Sequence, residues 1–316
     1  MNKKFGITGV GGYVAPKHLK AILETGNVLT TALDITDSVG LLDSYFPEVD
    51  FFNEPERFDR HLEKLYRKGE GIDYLSICSP NYLHDAHIRM GLRTGAHAIC
   101  EKPLVLNPWN LDFLEELEQE SGKRVYTILQ LRVHPALIAL KEKMEKTGTS
   151  DKKEINLTYI TSRGPWYLRS WKGNLEKSGG LASNIGIHFF DMLIWMFGQA
   201  ESIEVHINEE KVVSGFLNLE RARVKWFLSI DKNMLPEDVK KAGQMTYRSI
   251  TVDKEEIEFS GGFTNLHTLV YESILKGEGF GITEARDSIE IIQKIRTATV
   301  KPEKENMHEK LIELNR

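Results

Sequence analysis

The sequence predicts an α/β chain: an N-terminal Rossmann-like doubly wound parallel sheet, then an α+β domain with an open, mostly antiparallel sheet. Three observations predict it. The first apolar run ends in a cluster of glycines. Strand and helix signals then alternate in a βαβ rhythm, which implies parallel strands and right-handed crossovers. After about residue 146 strand-like runs follow one another closely, as antiparallel neighbours do.

Element by element, residues 4–8 form the first apolar run, and 16–25 have helical spacing with Pro16 suited to a first turn. Residues 28–34 read as a second buried strand, 49–52 as a short third and 55–67 as a helix. The fourth strand is 74–78, followed by a helix at 84–94, the fifth strand at 96–100, a helix at 108–121 and a strand at 124–131. The later strands are 154–161, 202–208, 212–219, 222–230, 247–252 and 255–259. A strongly apolar helix at 184–196 interrupts them, and helices at 265–275 and 283–298 close the chain. The polar tail after Pro302 is expected to be partly disordered. A sheet face left uncovered must be buried somewhere, so the chain is expected to oligomerise.

Composition excludes several classes. The 316 residues allow two domains, and 41% apolar with 28% charged residues is ordinary for a globular protein. A net charge of −5 gives no general attraction to nucleic acid or anionic membranes. Cys78 and Cys100 end two apolar runs without metal-like spacing, so they read as core residues of a reducing compartment, and no metal is expected. No apolar stretch is expected to reach transmembrane length, and the chain enters its first strand without a signal peptide; the expectation is a cytoplasmic protein.

The loop Gly6-Ile7-Thr8-Gly9-Val10-Gly11-Gly12-Tyr13-Val14-Ala15 follows the first strand and opens a helix. Glycines let backbone approach a pyrophosphate, and amides at a helix start point at its charge. Val14 holds the third position of the usual G-x-G-x-x-G/A motif, while Gly9, Gly12 and Ala15 give an alternative G-x-x-G-x-x-A spacing. Asp34 ends the second strand 22 residues beyond Gly12. Alone it reads as a turn or cap; after this loop it reads as the carboxylate that binds the adenosine ribose. No arginine or lysine occupies residues 35–42 to receive the extra phosphate of NADP, so the expected cofactor is NAD. The NAD-binding domain is therefore placed at 1–128 and the substrate-binding and oligomerisation domain at 129–316.

Further along, Ser79-Pro80-Asn81 turns the chain at the end of the fourth strand, where a cofactor ribose or nicotinamide would lie; Asn81 reads equally as a helix cap. His84 either serves the cofactor or packs against that loop. Glu101-Lys102-Pro103 follows the fifth strand and puts an ammonium at the carboxyl edge of the sheet, where open α/β folds bind ligands. There Lys102 would hydrogen-bond a substrate hydroxyl, Pro103 stiffening the backbone; otherwise it is a solvated surface lysine. In the apolar helix Asn184, His188 and Asp191 fall at i, i+4 and i+7, one polar stripe that suggests a cleft. His188 has a neutral form near pH 7 and can take a hydroxyl proton during hydride transfer.

The glycine loop, Asp34, Ser79-Pro80-Asn81, Glu101-Lys102-Pro103 and Asn184-x-x-x-His188-x-x-Asp191 together resemble the glucose–fructose oxidoreductase / inositol dehydrogenase (Gfo/Idh/MocA) family over nearly the whole chain. The resemblance implies NAD(P)-dependent oxidation of a sugar hydroxyl, a catalytic pair at Lys102 and His188, and a C-terminal open sheet used for dimers or tetramers. This chain carries Asn184 where many members carry aspartate. Gly12-Tyr13-Val14-Ala15-Pro16-Lys17-His18, Leu129-Gln130-Leu131-Arg132 and the stretch from Tyr159 to Gly173 resemble one branch, the UDP-N-acetylglucosaminuronate 3-dehydrogenases of bacterial surface polysaccharide (O-antigen) biosynthesis. That branch implies a tetramer, and reduced cofactor reoxidised by a small 2-oxo acid.

Charge agrees with such a substrate. Arg163, Arg169, Lys172 and Lys177 place four cations within 15 residues of an acidic chain, interleaved with Trp166, Tyr167 and Trp171. A UDP-linked uronic acid offers a pyrophosphate and a carboxylate to cations and a uracil to an aromatic face; a solvated loop is the plain alternative. Lys225 and Arg248 either join this group or face solvent. The expected cofactor residues are Gly9, Gly11, Gly12, Tyr13, Val14, Asp34, Ser79, Asn81, His84, Glu101, Lys102 and Gln130. Those for substrate are Lys102, Arg163, Trp166, Tyr167, Arg169, Lys172, Asn184 and His188, with Lys102, His188 and Asn184 catalytic. Two other readings stand beside this: a dehydrogenase of a free sugar or polyol, and a non-catalytic NAD sensor, which should have lost Lys102 or His188.

Overall fold

Strands rich in apolar residues on both faces can sit only between two layers of helices, and the computed structural model, which describes residues 2–147, 151–257, 264–301 and 305–314, places them there. The chain forms two compact units, Met1–Val133 with Thr264–Arg286, and His134–Phe263 with Asp287–Arg316. The first unit is thus not one uninterrupted stretch ending at 128: residues 264–286 return to it.

In the first unit β1 (Lys4–Thr8), β2 (Val28–Leu33), β3 (Asp50–Phe52), β4 (Tyr74–Ile77), β5 (His97–Cys100) and β6 (Val125–Thr127) form a six-stranded sheet in the order β3-β2-β1-β4-β5-β6. Every pairing is parallel. Strand order reverses between β1 and β4, and the loops at the carboxyl ends of those strands are where such sheets bind ligands. The helices Ala15–Glu24, Pro55–Arg67, His84–Arg93 and Trp109–Ser121 link the strands. The returning helix Leu266–Leu275 contributes Val270, Tyr271 and Ile274 to a core with Phe5, Leu19, Ile22 and Tyr74. Phe5 stacks between Tyr74 (5.0 Å) and Tyr271 (5.9 Å).

The second unit holds β7 (Lys153–Thr161), β8 (Ala200–Asn208), β9 (Val212–Leu219), β10 (Ala222–Ser229), β11 (Thr246–Val252) and β12 (Glu255–Glu256), in the order β12-β11-β7-β10-β9-β8. All pairings are antiparallel except β7 with β10.

Several expectations change. The strand expected over 124–131 stops at Thr127, because β5, its partner, stops at Cys100; Gln130–Val133 then forms a 3₁₀ turn. A helix at Pro135–Thr147 was not foreseen, although Leu137, Leu140 and Met144 give it an inward stripe. The apolar helix splits into a π-turn at Ala182–Gly186 and an α-helix at Ile187–Phe197. Leu175–Phe197, 23 residues holding an 18-residue window of mean hydropathy 1.2, does reach transmembrane length, contrary to expectation, but 78% of that window is buried within the protein, as in a core helix. Of the last expected strand, residues 258 and 259 lie outside the described residues. The tail is not simply disordered. Glu309–Leu314 is a helix, and Met307 and Leu311 pack with Ile160, Val212 and Phe227, while His308 meets the hydroxyl of Thr158 at 3.1 Å.

Candidate active-site residues

The glycine loop leaves β1 on a backbone that only glycine adopts readily. Gly9 has φ +75°, and a Cβ there would stand 2.6 Å from the carbonyl of Cys78 and the amide of Ser79. Its N–H donates to Leu33 O (2.8 Å), which ties the loop to the end of β2, and its carbonyl accepts from Gly12 N–H (3.0 Å), which closes the turn. Tyr13 lies at its tip, 96% exposed, with Val14 half-buried beneath it before the helix begins. Asp34 is drawn to this loop. Its Oδ2 accepts Gly11 N–H (2.8 Å), and Oδ1 accepts both the amide and the hydroxyl of Thr36 (3.0 Å each). The carboxylate therefore stands, half-exposed, beside the amides expected to meet a pyrophosphate. A close-packed glycine turn with an acid at its side fits the adenosine half of NAD.

The loop after β4 is held from below. Ser79 Oγ meets His87 Nδ1 (2.9 Å), and that nitrogen also lies 3.1 Å from Thr8 Oγ1. Burial pushes His87 down to about 4, the nearby His84 adding to it, so the ring is neutral at pH 7. Asn81 is buried in the 3₁₀ turn Asn81–Leu83. His84 is buried too, its Nδ1 2.7 Å from Pro103 O and its Nε2 2.9 Å from Ser79 O. Burial pushes its pKa down and the two carbonyls pull it up. Of the two readings left open, the geometry matches packing: His84 staples the Ser79 loop to Pro103. Gln130 stands half-buried at the turn that follows β6.

Glu101 is the surprise of this edge. Its carboxylate is buried, with Oε1 accepting from His18 Nε2 (2.9 Å) and His267 Nε2 (3.0 Å) and Oε2 accepting the Lys102 N–H (3.3 Å). Burial alone would raise its pKa; the two imidazole donors outweigh it and hold the carboxyl well below its usual range. His18 Nδ1 continues to Tyr271 Oη (2.7 Å), which meets Ser76 Oγ (2.7 Å). Three metal-ligating side chains thus converge, their donor atoms within 4.8 Å of one another. Both imidazoles share one oxygen at hydrogen-bond distance, however, whereas tetrahedral zinc would hold neighbouring ligands about 3.3 Å apart. The cluster is a hydrogen-bond network. His18, Ser76, His87, His267 and Tyr271 were not singled out from sequence; His267 and Tyr271 at i and i+4 on an apolar helix face were the available signal. Lys102 itself is half-buried, and its charge presses on His84. Cys78 and Cys100 are free and buried, and burial, with the Glu101 charge, raises both thiols well above their usual range.

The second unit gathers the other candidates. Gly179 and Gly180, at φ +78° and +80°, lead into the π-turn, and Gly186 lets the helix lie on β10, since a Cβ there would stand 2.6 Å from Leu228 Cδ1. π-turns are frequent at functional sites. Asn184, within the π-turn, is half-buried, and its amide donates to Tyr167 Oη (2.5 Å). His188 is half-buried and Asp191 fully buried.

Burial raises the Tyr167 phenol and the Arg163 charge opposes this; Lys172 is pushed down by burial and by Arg163. Lys172 Nζ also lies 4.1 Å from the centre of the Trp171 ring. Arg248 lies against aromatic rings, its guanidinium 5.7 Å from the Tyr159 ring and 5.9 Å from Phe189, while Tyr159 and Phe189 pack 4.9 Å apart. Arg169 and Lys177 instead line an open cavity of about 380 Å³ with Trp171 and Asn174. Trp166 is 57% exposed beside Tyr167. Lys225 belongs elsewhere: its charge acts on His308.

Comparison with known proteins agrees with this layout. Residues 3–129 match the oxidoreductase family's NAD-binding Rossmann fold and 152–223 its C-terminal alpha/beta domain. The chain is 55% identical, with a TM-score of 0.94 over 98% of this chain and 99% of the other, to the WlbA (WbpB) dehydrogenase of Thermus thermophilus, whose structures hold NAD with UDP-GlcNAcA or with alpha-ketoglutarate. The WlbA dehydrogenase of Bordetella pertussis is 19% identical, with a TM-score of 0.75 over 93% and 95% of the two chains. An uncharacterized oxidoreductase of Synechocystis sp. is 26% identical over 150 residues, 47% of this chain and 40% of that protein. The chain spans less than half the length of the first curated relatives it matches. With one family's domains matched in both halves and a relative of the same length at 55% identity, the chain belongs to the Gfo/Idh/MocA oxidoreductase family.

Proposed function

We propose that this protein is an NAD-dependent dehydrogenase that oxidises the 3-hydroxyl of UDP-N-acetylglucosaminuronate to a ketone. The observation that carries the reading is 55% identity, over almost the full length of both chains, to a dehydrogenase solved with NAD and that sugar nucleotide. The Arg163, Tyr167 and Lys172 group supports it, because a neutral polyol gives such charges nothing to neutralise.

NAD, when bound, supplies the hydride acceptor. The glycine turn holds its pyrophosphate on backbone amides, and Asp34 takes the hydroxyls of its ribose. Lys102 hydrogen-bonds the sugar hydroxyl and stabilises negative charge as it develops on that oxygen. His188 is the general base that receives the proton, and Asn184, set by Tyr167, orients the sugar. Arg163 and Lys172 hold the anionic groups of the substrate, and Trp166 and Tyr167 offer it aromatic surface. The reading extends to a cytoplasmic homotetramer serving bacterial surface polysaccharide assembly, with a 2-oxo acid reoxidising the cofactor. The solved complex of the Thermus thermophilus dehydrogenase with NAD and alpha-ketoglutarate supports that last step.

Deuterium placed only at the sugar's third carbon tests the reaction. The label is expected on the reduced nicotinamide after one turnover; unlabelled reduced cofactor, or none, overturns the assignment.

A further inference from the structure

We propose that His18 and His267 form a clamp on Glu101 that fixes the backbone of Lys102, and that both are positioning residues for the reaction; the inference rests on the role given to Lys102 above. The donor directions follow from chemistry alone. An ionised carboxylate only accepts, so both imidazoles donate to Glu101 through Nε2. Burial pushes His18 towards its neutral form, the pull of Glu101 opposing it. With its proton on Nε2, the Nδ1 of His18 must accept. Tyr271 therefore donates to His18, and Ser76 donates to Tyr271.

One ordered chain results, from Ser76 through Tyr271 and His18 to Glu101, with His267 as a second donor at its end. All five side chains are buried, so turning any one of them strands a donor or acceptor away from water. The free carboxylate oxygen of Glu101 takes the Lys102 amide, so the carboxylate cannot turn without shifting the residue that carries the ammonium. The partners come from segments 83 and 166 residues away in sequence, which makes the returning helix Leu266–Leu275 part of the reaction's scaffold.

Kinetics separate positioning from mere stability. The charged and titratable groups around the Glu101–His18 pair are Lys17 beside His18 on the first helix, His84 from the fourth-strand side, His267 and Tyr271 from the returning helix, and Cys78, Cys100 and Lys102. Losing one imidazole donor lets burial drive the Glu101 carboxyl upward. A folded His267→Leu protein is expected to lose about tenfold in kcat near pH 6, on an acid limb the wild type lacks, with KM for both substrates changed less than about threefold. His267→Gln, whose amide still donates, restores the profile. Tyr271→Phe, which removes one hydroxyl and keeps the ring, lowers kcat in the same sense and serves if the leucine variant fails to fold. Wild-type kcat and pH profile in folded clamp variants, while Lys102→Met is inactive, overturn the clamp alone. A fully active Lys102→Met protein overturns the role of Lys102 and the clamp's purpose with it.

Discussion

Charge placement at single residues makes the substrate reading testable. Burial and the neighbouring Arg163 guanidinium both push Lys172 down. Two cations kept close in a protein of net charge −5 await an anion. Reversing them together, Arg163→Glu with Lys172→Glu, is expected to cut kcat/KM for a UDP-uronic acid by at least about a hundredfold, the loss of two charge-assisted contacts. Turnover of a neutral sugar, if any, should not fall in parallel. An equal loss on both substrates contradicts a role in binding the anion. At this scale much was legible from the sequence. Gly9, Asp34 and Lys102 sit where strand ends put them, because turn chemistry and strand period are local properties. Arg248 was left open, and only the pairing of β11 with β7 sets it against Tyr159.

Elements were legible where their own pattern decides them and less so where a neighbour does. The helix Pro55–Arg67 was placed to the residue because proline and spacing define it. The end of β6 belongs to β5, and the π-turn belongs to Gly186 lying on β10, so neither is written in its own segment. The glycine loop is the element most open to test. Gly9→Ala must both hold a positive φ and push back the Cys78–Ser79 backbone, which lies 2.6 Å from the added Cβ. A loss of about 2 kcal/mol in stability and a tenfold or greater rise in Kd for NAD are expected, read by denaturant unfolding and cofactor titration. Unchanged NAD affinity contradicts the assignment of this turn to the cofactor.

For the whole molecule, buried histidines in both units set the response to acid. His87 in the first unit and His308 in the second are each pushed to about 4 by burial. Unfolded histidine takes a proton near pH 6.5, so between there and pH 4 the unfolded chain binds more protons and stability falls as pH falls. Each residue accounts for about 2 kcal/mol lost by pH 5. Glu101, held ionised in the fold, adds a loss of the same sign below the ordinary carboxylate range. A urea midpoint that stays constant from pH 7 to pH 5 contradicts this. No local pattern signals it, since a histidine's burial is decided by chain returning from far away, as residues 264–286 return to the first unit.

The most direct test of the account mixes the protein with one equivalent each of NAD and UDP-N-acetylglucosaminuronate and follows the near-ultraviolet absorbance of reduced nicotinamide through a single turnover. With wild-type protein the band is expected to rise in a single phase, and Lys102→Met is expected to abolish it or slow it at least a hundredfold. No rise with the wild type, or an equally fast rise without Lys102, contradicts it.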